Sequence, residues 1–153
     1  MPRRIILKPA TKNSLVELAK TLSASALTAC VGPAGGYVLT FSNGLAVYLS
    51  GDTGVIADQD LVVRRFYNAK LAVLNIGGTY STGPREAAYV INRLVKPNAV
   101  IASHANEAAT KEGKLQTGSK TMEFKQAVKV PTYLPLSGKS MKFDAQGKCV
   151  AGC

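Results

Sequence analysis

The sequence predicts an α/β fold in which strands and helices alternate through the middle of the chain. Three observations lead there. Asn43-Gly44 lies between two apolar runs, Tyr37–Phe41 and Leu45–Leu49, a strong short-range signal for an antiparallel hairpin. Residues 70–76 form a nearly unbroken apolar run, the pattern of a strand buried on both faces. Helical spacing precedes and follows that run, and the short apolar run Ala99–Ala102 closes a strand–helix–strand–helix–strand series.

Residues 1–12 mix basic residues, two prolines and an apolar run that allows an edge strand at Ile5–Leu7. Asn13 or Ser14 is placed to cap a short helix whose Leu15, Leu18, Ala19 and Leu22 share a face. Ser23–Ala29 reads as small-residue linker. Val31–Gly36 is a glycine-rich lead-in to a strand, without the Gly-Lys-Ser/Thr ending of a phosphate loop. The hairpin follows, and its second strand runs into Gly51-Asp52-Thr53-Gly54, which delivers a carboxylate to a strand tip between two glycines. A helix is predicted over 56–68, with Leu61, Val62 and Phe66 on the buried face and Arg64 and Arg65 outward.

After the central strand, Gly77–Gly83 is a loop. Pro84 suits a first helical turn, and the helix over 85–95 turns Ala87, Ala88, Ile91 and Leu94 inward before Lys96-Pro97-Asn98 ends it. The strand Ala99–Ala102 stops at Ser103-His104. Beyond it the spacing predicts a polar loop over 107–120 and a helix over 121–128. Residues 130–136 and 140–143 are expected to form a terminal hairpin around Ser137-Gly138, with Pro131 and Pro135 marking an edge strand and a frayed end from Ala145.

The totals narrow the function. A chain of 153 residues fits one domain or part of one. The formal net charge is +10, but the basic residues crowd the first twenty positions and the last third, leaving the patterned middle close to neutral. A solvated basic surface explains that placement. A nucleic-acid partner stays open without a motif to support it, since Trp is absent and no aromatic-interleaved basic stretch occurs. No apolar run reaches the roughly 18 residues of a membrane helix. Leu27-Thr-Ala-Cys30 has the look of a lipoprotein cleavage site, but Glu17 and Lys20 interrupt the stretch before it, so the expectation is a cytoplasmic protein with no membrane partner. The cysteines are Cys30, Cys149 and Cys153. They make no Cys-x-x-Cys pair, and the last two leave room for a disulfide in the tail.

One histidine is present, His104, and it follows a buried strand as Asp52 does. Residues just past the carboxyl ends of strands in an α/β sheet face a common crevice, so Asp52, the loop Gly77–Gly83 and His104 are expected to converge. Asp and His without a serine or cysteine motif point to metal ligation more than to a nucleophile triad. Two plainer roles stay open: Asp52 as the N-cap of the next helix, and His104 as a structural residue.

Three segments in series are Pro33–Gly54, ending in Leu49-Ser-Gly-Asp-Thr-Gly54, then Leu74-Asn-Ile-Gly-Gly-Thr-Tyr-Ser-Thr-Gly-Pro-Arg-Glu-Ala-Ala88, then Val100-Ile-Ala-Ser-His-Ala-Asn106. In order and spacing they resemble the second half of a metallo-β-lactamase-fold hydrolase, most like the metal-dependent hydrolases related to ascorbate-phosphate lactonases. The resemblance implies that Asp52 bridges two metal ions and that His104 binds one. The metal would be zinc or another divalent ion such as manganese, iron or nickel. It would activate a water toward a small-molecule ester, lactone or phosphoester.

The departures matter equally. The family's His-x-His-x-Asp-His cluster is missing, and no histidine stands near Lys12–Leu15, where the family's middle one should fall. Two protein ligands remain, whereas a catalytic zinc holds three. Cys30 lies upstream of a strand and is a poor substitute. The resemblance therefore implies a basic segment over 1–28, a half-domain over 29–144 and a flexible tail over 145–153. That half-domain would be one mixed sheet with helices on one face, half of an αββα sandwich. A second chain would complete it, with a homodimer as the first expectation, both copies lending Asp52 and His104 to one crevice. The alternative is a non-catalytic module, or truncated pseudoenzyme, that binds a protein or polyanion through the uncovered sheet face or the basic surface.

Overall fold

Five strands make one mixed sheet in the order β1-β2-β3-β4-β7, in a computed structural model that describes residues 33–153 and Lys20. The strand expected at Ile5–Leu7, the helix expected from Asn13 or Ser14, and Cys30 lie outside the described residues. The hairpin forms as predicted, with β1 (Tyr37–Thr40) antiparallel to β2 (Ala46–Leu49) and Tyr37 opposite Leu49. Gly44 takes φ +86° in the turn, and Asn43 Oδ1 accepts a hydrogen bond from Leu45 N at 3.1 Å, which is why Asn-Gly is suited there.

Parallel pairing follows. β3 (Leu71–Asn75) lies beside β2, and β4 (Ala99–Ser103) lies beside β3 in a register that sets Leu71 against Ala99 and Asn75 against Ser103. That register brings the carboxyl ends of the three strands level. Crossover helices cover one face. Tyr48, Ala72, Leu74, Val100 and Ala102 of the sheet pack there against Val63, Ala87, Ile91, Val95 and Phe124.

The helix α1 (Gln59–Phe66) forms where expected but presents a different face. Leu61, Val62 and Phe66 are 57%, 39% and 76% exposed, and the residues turned inward are Gln59 and Val63. The physical reason is its i→i+5 hydrogen bonding, seen in Tyr67 N donating to Val62 O, which shifts the residues that share a face away from the α-helical spacing. Gln59 is fully buried. Its Nε2 donates to Gly54 O at 3.0 Å and Tyr48 Oη at 3.3 Å, and its Oε1 accepts from Ile56 N at 3.1 Å. The next helix, α2 (Pro84–Tyr89), starts at Pro84 and runs directly into α3 (Val90–Val95), with Ala87, Ala88 and Ile91 buried and Leu94 half-buried against the core.

Three expectations in the last third are corrected. Residues 107–120 hold a small hairpin, β5 (Thr110–Lys111) with β6 (Lys114–Leu115), turning at Glu112 and Gly113, both at positive φ. The helix α4 (Lys120–Ala127) follows, capped by Ser119 Oγ accepting from Met122 N at 3.1 Å. The terminal hairpin around Ser137-Gly138 does not form. β7 (Thr132–Tyr133), held short between Pro131 and Pro135, instead pairs parallel with the free edge of β4. β8 (Lys142–Phe143) pairs antiparallel with β9 (Cys149–Ala151) across a turn where Asp144 Oδ1 accepts from Gln146 N and Lys148 N, both at 2.9 Å. Residues 145–153, expected as a tail, thus contain a paired strand, and a disulfide joins Cys149 to Cys153.

The other sheet face carries Val47, Leu71 and Ala99, with Leu49, Val73 and Ile101 half-buried beside them. Phe143 packs against it, and a shallow groove of about 620 Å³ between Val47, Leu71, Ile101, Met141 and Phe143 remains open among the described residues. No helix of the described residues is long and apolar enough to cross a membrane.

Candidate functional site

Asp52 and His104 meet. The Nδ1 atom of His104 lies 2.7 Å from Asp52 Oδ1, across 52 residues of sequence. Both side chains remain accessible, at 48% for His104 and 64% for Asp52. They stand at the rim of a cavity of about 240 Å³ whose walls are the tips of β2, β3 and β4: Leu49, Ser50, Gly51, Val73, Asn75 and Ser103.

The backbone bends to make this contact. Gly51 takes φ +55°, so the chain turns at once after β2 and sets Asp52 beside the tip of β4. His104 itself takes φ +47°, a left-handed conformation that costs a non-glycine residue roughly 1–2 kcal/mol. Gly77 makes room for it: a Cβ there would lie 2.5 Å from His104 O and 2.7 Å from Asn106 Nδ2. The loop Gly77–Gly83 therefore meets His104 through the backbone of Gly77. Its Tyr80 is 96% exposed and takes no part in the cavity.

The plain reading of Asp52 as a helix cap fails. The N-cap position of α1 is Asp58, whose side chain makes no capping bond, and the Asp52 carboxylate goes to the imidazole instead. Sequence reasoning missed what lies underneath. Asn75 is 2% exposed, and its Nδ2 donates to Gly51 O at 2.6 Å and to Thr53 O at 3.2 Å. Ser50 Oγ accepts from Asn75 N at 3.0 Å, and Thr82 Oγ1 donates to Asn75 at its O and Oδ1 atoms. The available signal was a lone amide inside the apolar run 70–76.

Neighbouring charges are committed elsewhere. The Glu107 carboxylate accepts from Lys120 N, Thr121 N and Thr121 Oγ1, at 3.1, 3.0 and 3.2 Å, so it serves the start of α4. Lys120 Nζ donates to Gly77 O at 2.6 Å. A carboxylate oxygen and an imidazole nitrogen are suitable donors for zinc and related ions, but a catalytic zinc takes three protein donors. Among the described residues no group of three His, Cys, Asp or Glu side chains comes together. The donors present therefore do not fit a self-contained metal centre.

No protein-family model matches the chain. A UPF0173 metal-dependent hydrolase of Cupriavidus metallidurans is 38% identical over 69 residues, which is 45% of this chain and 23% of that protein. Another, from Polynucleobacter asymbioticus, is 34% identical over 100 residues, 63% of this chain and 33% of that protein. Part of the chain is thus similar to part of the UPF0173 metal-dependent hydrolases. It spans about a quarter to a third of the length of these two UPF0173 relatives, at 23% and 33%. Among solved structures, Igni18, a metallo hydrolase from Ignicoccus hospitalis, is 20% identical with a TM-score of 0.49, over 88% of this chain and 65% of that one. The mixed sheet with helices on one face is the architecture that the sequence resemblance led to expect.

Proposed function

We propose that the chain is one half of a metal-dependent hydrolase acting on a small ester, lactone or phosphoester, and that a second copy completes its site. The observation that supports this most directly is the 2.7 Å contact between Asp52 and His104 at adjoining strand tips. It places the two donor types a divalent ion prefers at one rim, and the UPF0173 relatives are described as metal-dependent. The shortfall in donors and the open sheet face have one common remedy. Leu49 and Val73 belong to that face and also line the cavity, so whatever covers the face also roofs the pair. A C2 dimer would bring two Asp52–His104 pairs to one crevice.

A native mass spectrum of chelator-washed protein reloaded with zinc or manganese tests the proposal. The expected result is a dimer holding at least one ion, with Asp52→Ala and His104→Ala each losing metal. Less than one ion per dimer overturns it. The donor count favours a second reading, a non-catalytic binding module. Hydrolysis of generic esters, lactones and phosphodiesters by the metal-loaded protein separates the two. Steeply salt-dependent binding of nucleic acid without metal would favour the module.

A further inference from the structure

Below the Asp52 turn lies a buried polar group that nothing in the proposed function uses. Asn75 ends β3 inside an otherwise apolar strand, and it is 2% exposed. An amide so placed costs free energy unless every donor and acceptor is used. Here all are used, and in one direction. The two Nδ2 hydrogens go to the carbonyls of Gly51 and Thr53, the residues on either side of Asp52. The backbone N–H of Asn75 goes to Ser50 Oγ, which donates in turn to Gly51 O at 3.0 Å. Thr53 Oγ1 donates to Ser50 O at 2.8 Å and closes the turn on itself. The remaining Asn75 oxygens receive Thr82, which is 3% exposed. Among the described residues no buried side-chain polar atom lacks a partner.

We infer that Asn75 is the positioning residue of the site, holding the Gly51–Thr53 turn so that the Asp52 carboxylate meets the His104 imidazole, with Thr82 fixing which way its amide points. Asp52 is mostly exposed and has no other side-chain partner among the described residues, so its own side chain does not hold it in place. The turn contains Gly51 at φ +55°, a residue with wide conformational freedom, and the amide removes that freedom. The bond to Gly51 O fixes the peptide plane before Asp52, the bond to Thr53 O holds the far side of the turn, and Thr53 N donating to Ser50 O at 3.3 Å holds the plane between them, so the direction of the Asp52 Cα–Cβ bond is set. The second layer thus acts as outer-shell groups do around reactive side chains, by orienting the group that does the chemistry.

The inference concerns the same pair as the proposed hydrolase, but its test needs neither metal nor turnover. His104 is the only histidine, so nitrogen-15 spectra of its imidazole are unambiguous. In mildly alkaline buffer a neutral imidazole carries its proton on the nitrogen that its partner selects. Asp52 accepting at Nδ1 selects the Nδ1–H tautomer, and Asp52→Ala supplies the reference for an imidazole without that partner. Asn75→Ala is expected to move the His104 nitrogen shifts most of the way to the Asp52→Ala values. Asn98→Ala, which removes the bond to Gln146 O just before the start of β4, at the opposite end of that strand from His104, should lower thermal stability and leave those shifts at wild-type values. Asn75→Ala that unfolds more easily yet keeps the wild-type shifts would overturn the inference. So would a wild-type imidazole that already matches Asp52→Ala. If Asn75→Ala does not fold, Thr82→Val, which keeps the shape and removes the donor to Asn75, is read in the same way. A partial move toward the reference supports the inference and no move overturns it. Metal-free dimers or absent hydrolysis would defeat the proposed function and leave this result untouched.

Discussion

His104 is held in a backbone conformation that its residue type disfavours, at φ +47°, and it is half exposed, so its side chain contributes little burial in exchange. Strain of this kind persists only where the surroundings enforce it, here through Gly77 behind it and Asn106, also left-handed at φ +54°, after it. The expected consequence is an unusual order of stabilities. His104→Gly and His104→Asn should unfold at the same or higher denaturant concentration than wild type, because both tolerate a left-handed backbone. His104→Val should lose about 1–2 kcal/mol, since a β-branched residue fits that region worst. Urea titrations of the three variants would check this; a His104→Val protein as stable as His104→Gly would remove the strain. Asp52 and His104 were both legible as single residues from their places after apolar runs. Asn75, Thr82 and Gln59 were not, because apolar periodicity treats a polar residue as outward-facing unless its partners are known.

At the scale of elements, α1 shows what periodicity does and does not decide. The helix was legible; its buried face was not, because the i→i+5 winding departs from the repeat used to read it. The outer side of α1 carries a charge cluster. Asp60 accepts from Arg64 and, at 3.0 Å, from Arg65 Nε. The Arg64 hydrogen bond holds the Asp60 carboxyl below its ordinary value of 3.8. A depressed carboxyl contributes stability above its unfolded-state pKa, and the contribution disappears as pH falls through the folded value. Asp60→Asn should therefore lower the melting temperature slightly at neutral pH and not at all near pH 2, and added salt should shrink the neutral-pH difference, since the cluster is at the surface. Thermal melts across pH would show it; an equal loss at both ends would mean the ion cluster is not the cause. The short strand β7 illustrates a second limit. It is two residues long, and its parallel partner β4 follows from tertiary packing, whereas β8, equally short, meets β9 across the local turn at Asp144.

For the whole molecule, the decisive feature among the described residues is a sheet with one face under helices and the other carrying a groove of about 620 Å³ along Val47, Leu71 and Ile101. Open apolar surface of that kind favours association. Ile101→Lys places a charge at the centre of that face while leaving the helix-side core intact, because Ile101 is half-buried and its neighbours Val100 and Ala102 point to the other side. On the proposed dimer, sedimentation should shift from dimer for the wild type to monomer for the variant, with its far-ultraviolet circular dichroism unchanged. A dimer that survives Ile101→Lys would place the interface elsewhere.

The sequence by itself determined the alternation of strands and helices through the middle of the chain, the Asn43-Gly44 hairpin, and the delivery of one carboxylate and one imidazole to strand ends. Those features depend on local periodicity, turn chemistry and the positions of Gly and Pro, which act over a few residues. Tertiary structure alone decided that Asp52 and His104 touch, that Asn75 grips the turn between them, and that β7 joins the main sheet. The first two depend on the parallel register of β2, β3 and β4 and the third on the parallel pairing of β7 with β4, all pairings between segments tens of residues apart, which bury one set of side chains and level the tips of β2, β3 and β4.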